Sequence, residues 1–327
     1  MIFDGHNDSL GRLQEMDVAP ELFLTGLPDR AVDLPRARAG GMAGGLFAIF
    51  TASEMDGDHG VPIDHEAAAT FTLAAMGRAH ALAGASDGAV RVARSTAELE
   101  GAFALVLHLE GAEAIDPDLV ALDAWYAAGL RSVGLVWGRD NAFAHGVPFR
   151  FPSSPDIGPG LTDAGRALVR RCAQLGVVVD VSHLNAAGFA DVARIGAAPI
   201  VASHSACHAL CATSRNLTDD QLREIARSEG IVGIVFATRF VRADGREDPE
   251  TPLSTIVAHV RHAIEVAGLD HVGLGSDFDG AGMPSELADV AAFPRLLAAL
   301  RDDGLSAAEV DQIAWGNWRR VLGLAWR

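Results

Sequence analysis

The sequence predicts a (β/α)8 barrel that forms one domain over residues 1–327, and two patterns lead to this fold class. Eight short segments are continuously apolar, as strands buried on both faces of a parallel sheet usually are. Helical segments separate most of these strands, which is the alternation typical of α/β proteins. The alternative fold is a doubly wound open sheet. It is disfavoured because no Gly-x-Gly-x-x-Gly turn follows the first strand.

The predicted strands are distributed along the whole chain. They comprise residues 2–5, 45–51, 104–109, 131–136, 177–182, 199–203, 231–236 and 271–276. An alanine-rich helix is predicted from about 64 to 85, between the second and third strands. Leu161-Thr162-Asp163 is predicted to cap a helix that runs to Leu175 and ends at Gly176, and further helices close the chain.

Composition excludes several classes of function. The net charge of −17, from 43 acidic and 26 basic residues, would repel a phosphate backbone, so nucleic-acid binding is not expected. No charge-free apolar run reaches ~18 residues and no signal peptide is visible, so we expect neither a membrane span nor export. Cys172, Cys207 and Cys211 form no Cys-x-x-Cys pair and are expected to stay reduced in a cytoplasmic protein.

Imidazole and carboxylate side chains stand at the ends of five predicted strands. Because alternate residues of a strand face the same way, His6 and Asp8 are expected to point together. In a barrel, the carboxyl ends of all strands meet at one mouth. The residues that we expect to converge there are His6, Asp8, Glu110, His183, His204 and Asp277.

Imidazole and carboxylate ligands suit a first-row divalent metal, with Zn²⁺ as the first choice. The set is too large for one tetrahedral ion, so we predict two ions bridged by a carboxylate. Glu110 is the central carboxylate and is the expected bridge. His108 is expected to point away from the face of Glu110 and to pack within the barrel.

Several segments resemble motifs of the membrane (renal) dipeptidase family within the amidohydrolase superfamily, and the resemblance covers nearly the whole chain. The matching segments are Asp4-Gly5-His6-Asn7-Asp8, Leu109-Glu110-Gly111, Val181-Ser182-His183, Ser203-His204-Ser205, residues 214–220 and residues 275–280. The resemblance implies that Arg215 binds the carboxylate of the substrate and that Asp277 transfers the proton.

The resemblance also implies an activity, which is hydrolysis of small dipeptides by a metal-activated water. One ion would rest on His6, Asp8 and Glu110, and the other on Glu110, His183 and His204. The preference between L- and D-residues is left open, and so is the oligomeric state, for which a homodimer is one option.

The sequence departs from the family pattern after the fourth strand. Eukaryotic members carry a histidine there that contacts the substrate carbonyl, whereas the matching position here is Trp137. Indole cannot accept a proton. Three alternatives follow: Arg139 takes over the role, His145 takes it over, or polarisation by metal is sufficient.

Two other functions are compatible with a barrel of this kind. Related barrels use similar sites on other small amides, and Arg215 does not exclude N-acyl amino acids as substrates. A metal-binding barrel without catalytic activity would keep the ligands but lack Asp277, which is present here.

Overall fold

The computed structural model describes residues 1–326 and shows the predicted barrel. Residue 327, the last of the predicted domain, lies outside the described residues. The eight strands of the barrel are Ile2–Asn7, Met42–Ile49, Phe103–Glu110, Leu130–Gly134, Val178–Asp180, Val201–Ser205, Ile231–Ile234 and Val272–Leu274. Each strand pairs in parallel with the next along the chain. The predicted fold class is confirmed.

The barrel closes where its first strand meets the segment that follows its last strand. Asn7 forms an isolated parallel bridge with Phe278, and the amide of Asp277 donates to the carbonyl of His6 at 3.0 Å. The buried carboxylate of Asp4 strengthens this seam, because it accepts hydrogen bonds at 2.7 Å from both the amide and the hydroxyl of Ser276. The seam therefore fixes the position of His6 relative to Asp277.

Three short strands lie outside the barrel, and the sequence did not predict them. Val90–Val92 pairs in parallel with the third barrel strand. Met55–Asp56 and His59–Gly60 form a small antiparallel hairpin in a segment predicted as a loop. Such short segments carry too few residues for an alternating apolar pattern to be recognised.

The helices surround the barrel, and their ends follow ordinary capping chemistry. Asp64 accepts from the amides of the first turn of the long helix, and Thr162 caps the helix that ends at the left-handed Gly176. The α-helices are Ser9–Glu15, Leu22–Thr25, Leu34–Gly40, His65–Ala85, Leu122–Ala128, Asp163–Leu175, Ala186–Ile195, Asp219–Arg227, Thr238–Val241, Leu253–Ala267, Phe293–Asp302, Ala307–Asp311 and Asn317–Ala325.

Short 3-10 segments and one π-helical turn complete the fold. The 3-10 segments are Thr96–Leu99, Leu269–His271, Ser285–Leu287 and Val290–Ala292, and the π-helical turn is Gln312–Gly316. None of the helices within residues 1–326 is both long and apolar enough to cross a membrane. The three cysteines are buried and unpaired.

The last helix plugs the amino-terminal end of the barrel. Trp318 is fully buried and packs with inward-facing residues of the strands, among them Phe3, Val201 and Ile231. Its indole N–H donates to the carbonyl of Leu274 at 3.0 Å. The ring leaves no room for a Cβ atom at Gly5 or Gly273, so glycines in the strands make space for it.

We predict that Trp318→Ala destabilises the fold by ~3–5 kcal/mol, the usual cost of removing a buried aromatic ring and leaving a cavity. Denaturant unfolding of the purified protein measures this change. Leu324→Ala on the same helix is the control, because Leu324 is 51% exposed, and it should change stability by less than ~0.5 kcal/mol. A loss below ~1 kcal/mol for Trp318→Ala would show that the helix does not close the barrel.

Candidate metal centre

The structure brings the six predicted groups together at the carboxyl end of the barrel. His6 is fully buried, and its Nε2 atom lies 3.4 Å from Asp8 Oδ2, 3.6 Å from Glu110 Oε2 and 3.9 Å from Asp277 Oδ1. On the other side, the Nε2 atoms of His183 and His204 lie 3.1 Å apart. Groups separated by some 270 residues of chain therefore meet in one site.

Glu110 stands between the two sides of this site. Its Oε1 atom lies 2.9 Å from His183 Nε2 and 3.5 Å from His204 Nε2. Its Oε2 atom faces His6 instead. Because the two oxygens of one carboxylate face different sets of nitrogen donors, Glu110 has the arrangement expected of a bridging ligand.

The backbone is strained at two of the six residues. His183 and Asp277 adopt φ values of 67° and 66°, in the left-handed region that residues other than glycine rarely occupy. Such a conformation costs ~1–3 kcal/mol and persists where the surrounding structure imposes it. Both residues lie three positions after the last residue of a barrel strand, Asp180 and Leu274 respectively, and both side chains lie in the site.

A hydrogen-bond relay orients His204. The hydroxyl of Ser203 donates to Asp180 Oδ2, so its oxygen is free to accept from the Nδ1–H of His204 at 2.8 Å. This arrangement places the proton on Nδ1 and leaves the Nε2 lone pair directed towards Glu110. The sequence analysis predicted no role for Asp180, although an aspartate within a run of β-branched residues could have indicated one.

Burial dominates the electrostatics of the carboxylates. Burial raises the pKa of Glu110 to about 8 and that of Asp277 to about 7, and repulsion from Asp8 adds to both shifts. Burial opposes the charged form of His6, but the facing Glu110 and Asp8 carboxylates raise the pKa of its imidazole to about 10. Without a bound cation, Glu110 and Asp277 therefore hold protons more tightly than carboxyl groups in water do.

The donor set fits divalent metal ions. Burial holds the pKa values of His183 and His204 well below the ordinary range, so both imidazoles are neutral and able to act as ligands. Neither ring nitrogen of His6 has a hydrogen-bond partner among residues 1–326. Two sets of three residues each bring three ligand atoms, one per residue, within 4.8 Å of one another. One set is His6, Glu110 and His204, and the other is His6, Asp8 and Asp277.

A cavity of about 380 Å³ opens onto this cluster. Asp8, Glu110, His183 and Asp277 lie in its wall. Its other walls carry aromatic rings, charged side chains and the tip of the small hairpin. These residues include Phe50, Met55, Asp58, Trp137, Phe149, Arg239, Phe240 and Glu247.

Arg215 lies close to the cluster but is buried. Its guanidinium carbon is 5.3 Å from the centroid of Phe240, and its Nη2 donates to the carbonyl of His204 at 3.0 Å. Its Nε and Nη1 atoms have no partner among residues 1–326. Burial lowers the pKa of the guanidinium to about 10, so it stays charged at neutral pH and has donors available for an anion.

Trp137 lies in the cavity wall, next to the site. Its ring is 4.7 Å from Phe50, 4.8 Å from Phe149 and 6.2 Å from His183, measured between centroids. The side chain provides an aromatic surface beside a histidine rather than a proton acceptor.

Neither residue considered as a substitute for the family histidine belongs to the cavity wall. Arg139 is buried and donates to Glu113, to Ser53 and to the carbonyl of Thr51. His145 contacts Asp140 at 2.9 Å near the surface. These contacts commit the donors of Arg139 to neighbouring residues of the protein.

The expected orientation of His108 was wrong. Residues two apart on a strand share a face, so His108 points into the barrel beneath Glu110, with its ring 5.5 Å from that of His6. Its Nδ1 contacts the hydroxyl of Ser132 at 2.9 Å, and burial lowers its pKa to about 4. The residue is packed within the barrel, as expected.

Comparisons with known proteins relate this chain to a family of peptidases. The family model described as membrane dipeptidase (peptidase family M19) matches residues 1–325. An uncharacterized protein in the pqqA 5′ region of Klebsiella pneumoniae is 48% identical over 247 residues, which is 74% of this chain and 91% of that protein.

Two solved structures are similar over almost the full length. Dipeptidase AC, a metallopeptidase of family M19, has 45% identity and a TM-score of 0.96, with 99% of this chain and 98% of that chain covered. A metallopeptidase from Rhodobacter sphaeroides, liganded with a phosphinate mimic of the dipeptide L-Ala-D-Ala, has 43% identity and a TM-score of 0.96, with 99% of each chain covered.

We predict that Ser203→Ala weakens metal binding by about 10- to 100-fold, the usual effect of removing a group that orients a ligand histidine. Competition of the metal-loaded protein against a chelator measures the change directly. Ser132→Ala is a matched control, because Ser132 contacts the buried His108, which is outside the predicted ligand set. If both variants bound metal as wild type does, the relay would have no part in metal binding.

Proposed function

Because the chain belongs to the membrane dipeptidase family, peptidase family M19, we propose that this metal-dependent dipeptidase works with two zinc ions bridged by Glu110. One ion would rest on His6, Asp8 and Glu110. The other would rest on Glu110, His183 and His204. The observation that carries the proposal is the position of Glu110, whose two oxygens face separate groups of nitrogen donors.

The charge of the site supports the binding of metal cations. Asp8, Glu110 and Asp277 place three carboxylates around a single buried imidazole. Burying carboxylates without compensating charge is strongly unfavourable. Ions bound here would supply Lewis acidity, polarising a peptide carbonyl and lowering the pKa of a water molecule.

Asp277 is the group that we propose to move the proton. It lines the cavity and its carboxylate lies 3.9 Å from His6. Its carboxylate accepts the proton that the attacking water loses. The protonated Asp277 then donates to the amine nitrogen of the leaving residue, so one side chain serves first as base and then as acid.

Arg215 is proposed to hold the free carboxylate at the C-terminus of the substrate. A guanidinium can donate two parallel hydrogen bonds to a carboxylate, and the Nε and Nη1 donors of Arg215 have no partner among the described residues. Because this anchor lies close to the proposed metal ligands, the scissile bond must be near the C-terminus. A dipeptide meets that requirement.

Three further features of the protein belong to the same proposal. Residues 1–327 act as one catalytic domain, which carries all the residues of the site described above. The chain is a monomer or a homodimer. Its three unpaired cysteines suit the reducing conditions of the cytoplasm.

The experiment that tests this function measures metal content and peptide turnover together. Protein reconstituted with zinc should contain close to two equivalents and hydrolyse alanyl-alanine of either stereochemistry at the second residue. Glu110→Gln should weaken both sites at once, because one oxygen faces each group. A single equivalent in fully active protein would overturn the bridged pair, and turnover of N-acetyl-alanine without turnover of dipeptides would indicate an N-acyl amino acid hydrolase.

We predict that Asp277→Asn retains both metal equivalents but lowers kcat by at least ~10²-fold, the usual scale for loss of a general acid or base. Steady-state kinetics on alanyl-alanine, with metal analysis of the same sample, measures both properties. Glu247→Gln is a suitable control, since Glu247 lines the cavity without belonging to the proposed proton path, and it should change kcat by less than ~3-fold. Full activity of Asp277→Asn would exclude it as the proton carrier.

A further inference from the structure

Arg239 is a cation in the cavity wall whose charge is not neutralised by the protein. It is partly buried and lines the cavity, and its Nη2 donates to the carbonyl of Phe149 at 3.1 Å. Among residues 1–326, no carboxylate oxygen lies within 4.0 Å of its guanidinium nitrogens. Its remaining donors are therefore available for an anion.

Two aromatic rings hold this guanidinium in place. Its central carbon lies 5.6 Å from the centroid of Phe149 and 5.4 Å from that of Phe240. Cations stacked on aromatic faces lose less freedom when they bind a ligand, because their orientation is already restricted. Arg239 is thus positioned before any substrate arrives.

The other arginine in the cavity wall behaves differently. Arg12 is paired with Glu15 at 2.7 Å and donates through Nε to the carbonyl of Asp279 at 3.0 Å. Its charge is already compensated within the protein. An anionic group in the cavity would therefore be attracted to Arg239 rather than to Arg12.

Arg239 and Arg215 share one aromatic neighbour. Their guanidinium carbons lie 5.4 Å and 5.3 Å from the centroid of Phe240. The two cations are therefore separated by less than about 11 Å, a span that one residue bearing two carboxylates can bridge when each carboxylate is held by a planar guanidinium fork.

We propose that Arg239 is a specificity-determining residue that binds a carboxylate on the side chain of the C-terminal residue of the substrate. The inference rests on the proposed function, in which Arg215 holds the main-chain carboxylate of that same residue. The enzyme then favours dipeptides that end in aspartate or glutamate. Arg239 gives no such advantage to an acidic N-terminal residue, because it shares its aromatic neighbour Phe240 with Arg215, the proposed anchor of the C-terminal residue.

Two carboxylates also line the cavity, those of Asp58 and Glu247. That of Asp58 pairs with the exposed Arg150 at 2.7 Å, so its charge, like that of Arg12, is compensated within the protein.

The test compares alanyl-aspartate with alanyl-asparagine, which have nearly the same shape but differ in charge. Both stereoisomers of the second residue are assayed with the zinc-loaded enzyme. Wild type should show a kcat/KM at least ~10-fold higher for the aspartyl substrate. Arg239→Met should lower kcat/KM for alanyl-aspartate by about 10- to 150-fold, the range for a lost charge-assisted hydrogen bond, and change it less than ~3-fold for alanyl-asparagine.

Two controls make the result specific to Arg239. Arg12→Met also removes a cation from the cavity wall, and it should affect both substrates equally. Arg239→Lys keeps the charge without the planar fork and should recover part of the preference. Equal losses on both substrates for Arg239→Met, or a wild-type ratio near one, would overturn the inference.

A second measurement on wild type does not depend on a variant that folds. Free aspartate should inhibit hydrolysis of alanyl-alanine at least ~10-fold more strongly than asparagine, since it presents the same two carboxylates. Equal inhibition would overturn the inference even while alanyl-alanine is cleaved, which leaves the proposed function intact. If no dipeptide were cleaved at all, the proposed function would fail and this inference with it.

Discussion

The carboxylate of Asp4 holds the first strand of the barrel against the segment that follows the last one. It accepts from both the amide and the hydroxyl of Ser276, one residue before Asp277, and it lies two residues before His6. Because the interaction is buried, it has no competition from water and is costly to break. The distance between His6 and Asp277 depends on this seam, and His6 in turn faces Asp8 and Glu110 in the site.

Closure of the barrel also concentrates ionisable groups that the protein alone cannot all keep charged. Burial raises the pKa values of Glu110 and Asp277 to about 8 and about 7, because neither carboxylate is well solvated. Neutral histidines approach the same cluster from the opposite side. A site of this kind is better suited to metal cations than to protons, since a dication compensates several carboxylates at once. The suitability of the site for metal cations and the raised pKa values of its carboxyl groups thus have one cause, which is burial in the closed barrel.

The outer part of the cavity has a different physical character. Aromatic rings from three loops, Phe50, Trp137 and Phe149, pack against one another beside His183. Arg215 and Arg239 contact the edge of this aromatic wall through Phe240. The end of the cavity formed by the predicted metal ligands is suited to cleaving a peptide bond, whatever side chains flank that bond. The aromatic and cationic end is suited to discriminate between substrates.

The sequence alone determined the barrel and the residue types of its mouth, because apolar strands and the residues that end them are local patterns. His6, Asp8, Glu110, His183, His204 and Asp277 could be selected in this way before any contact was known. Tertiary structure decided which oxygen of Glu110 faces which histidine, how Asp180 and Ser203 orient His204, and that Arg139 is committed to Glu113. It also placed Arg239 beside Phe240 with its charge free. These outcomes depend on side chains that meet across separate strands and loops, and such contacts leave no periodic signal in the chain.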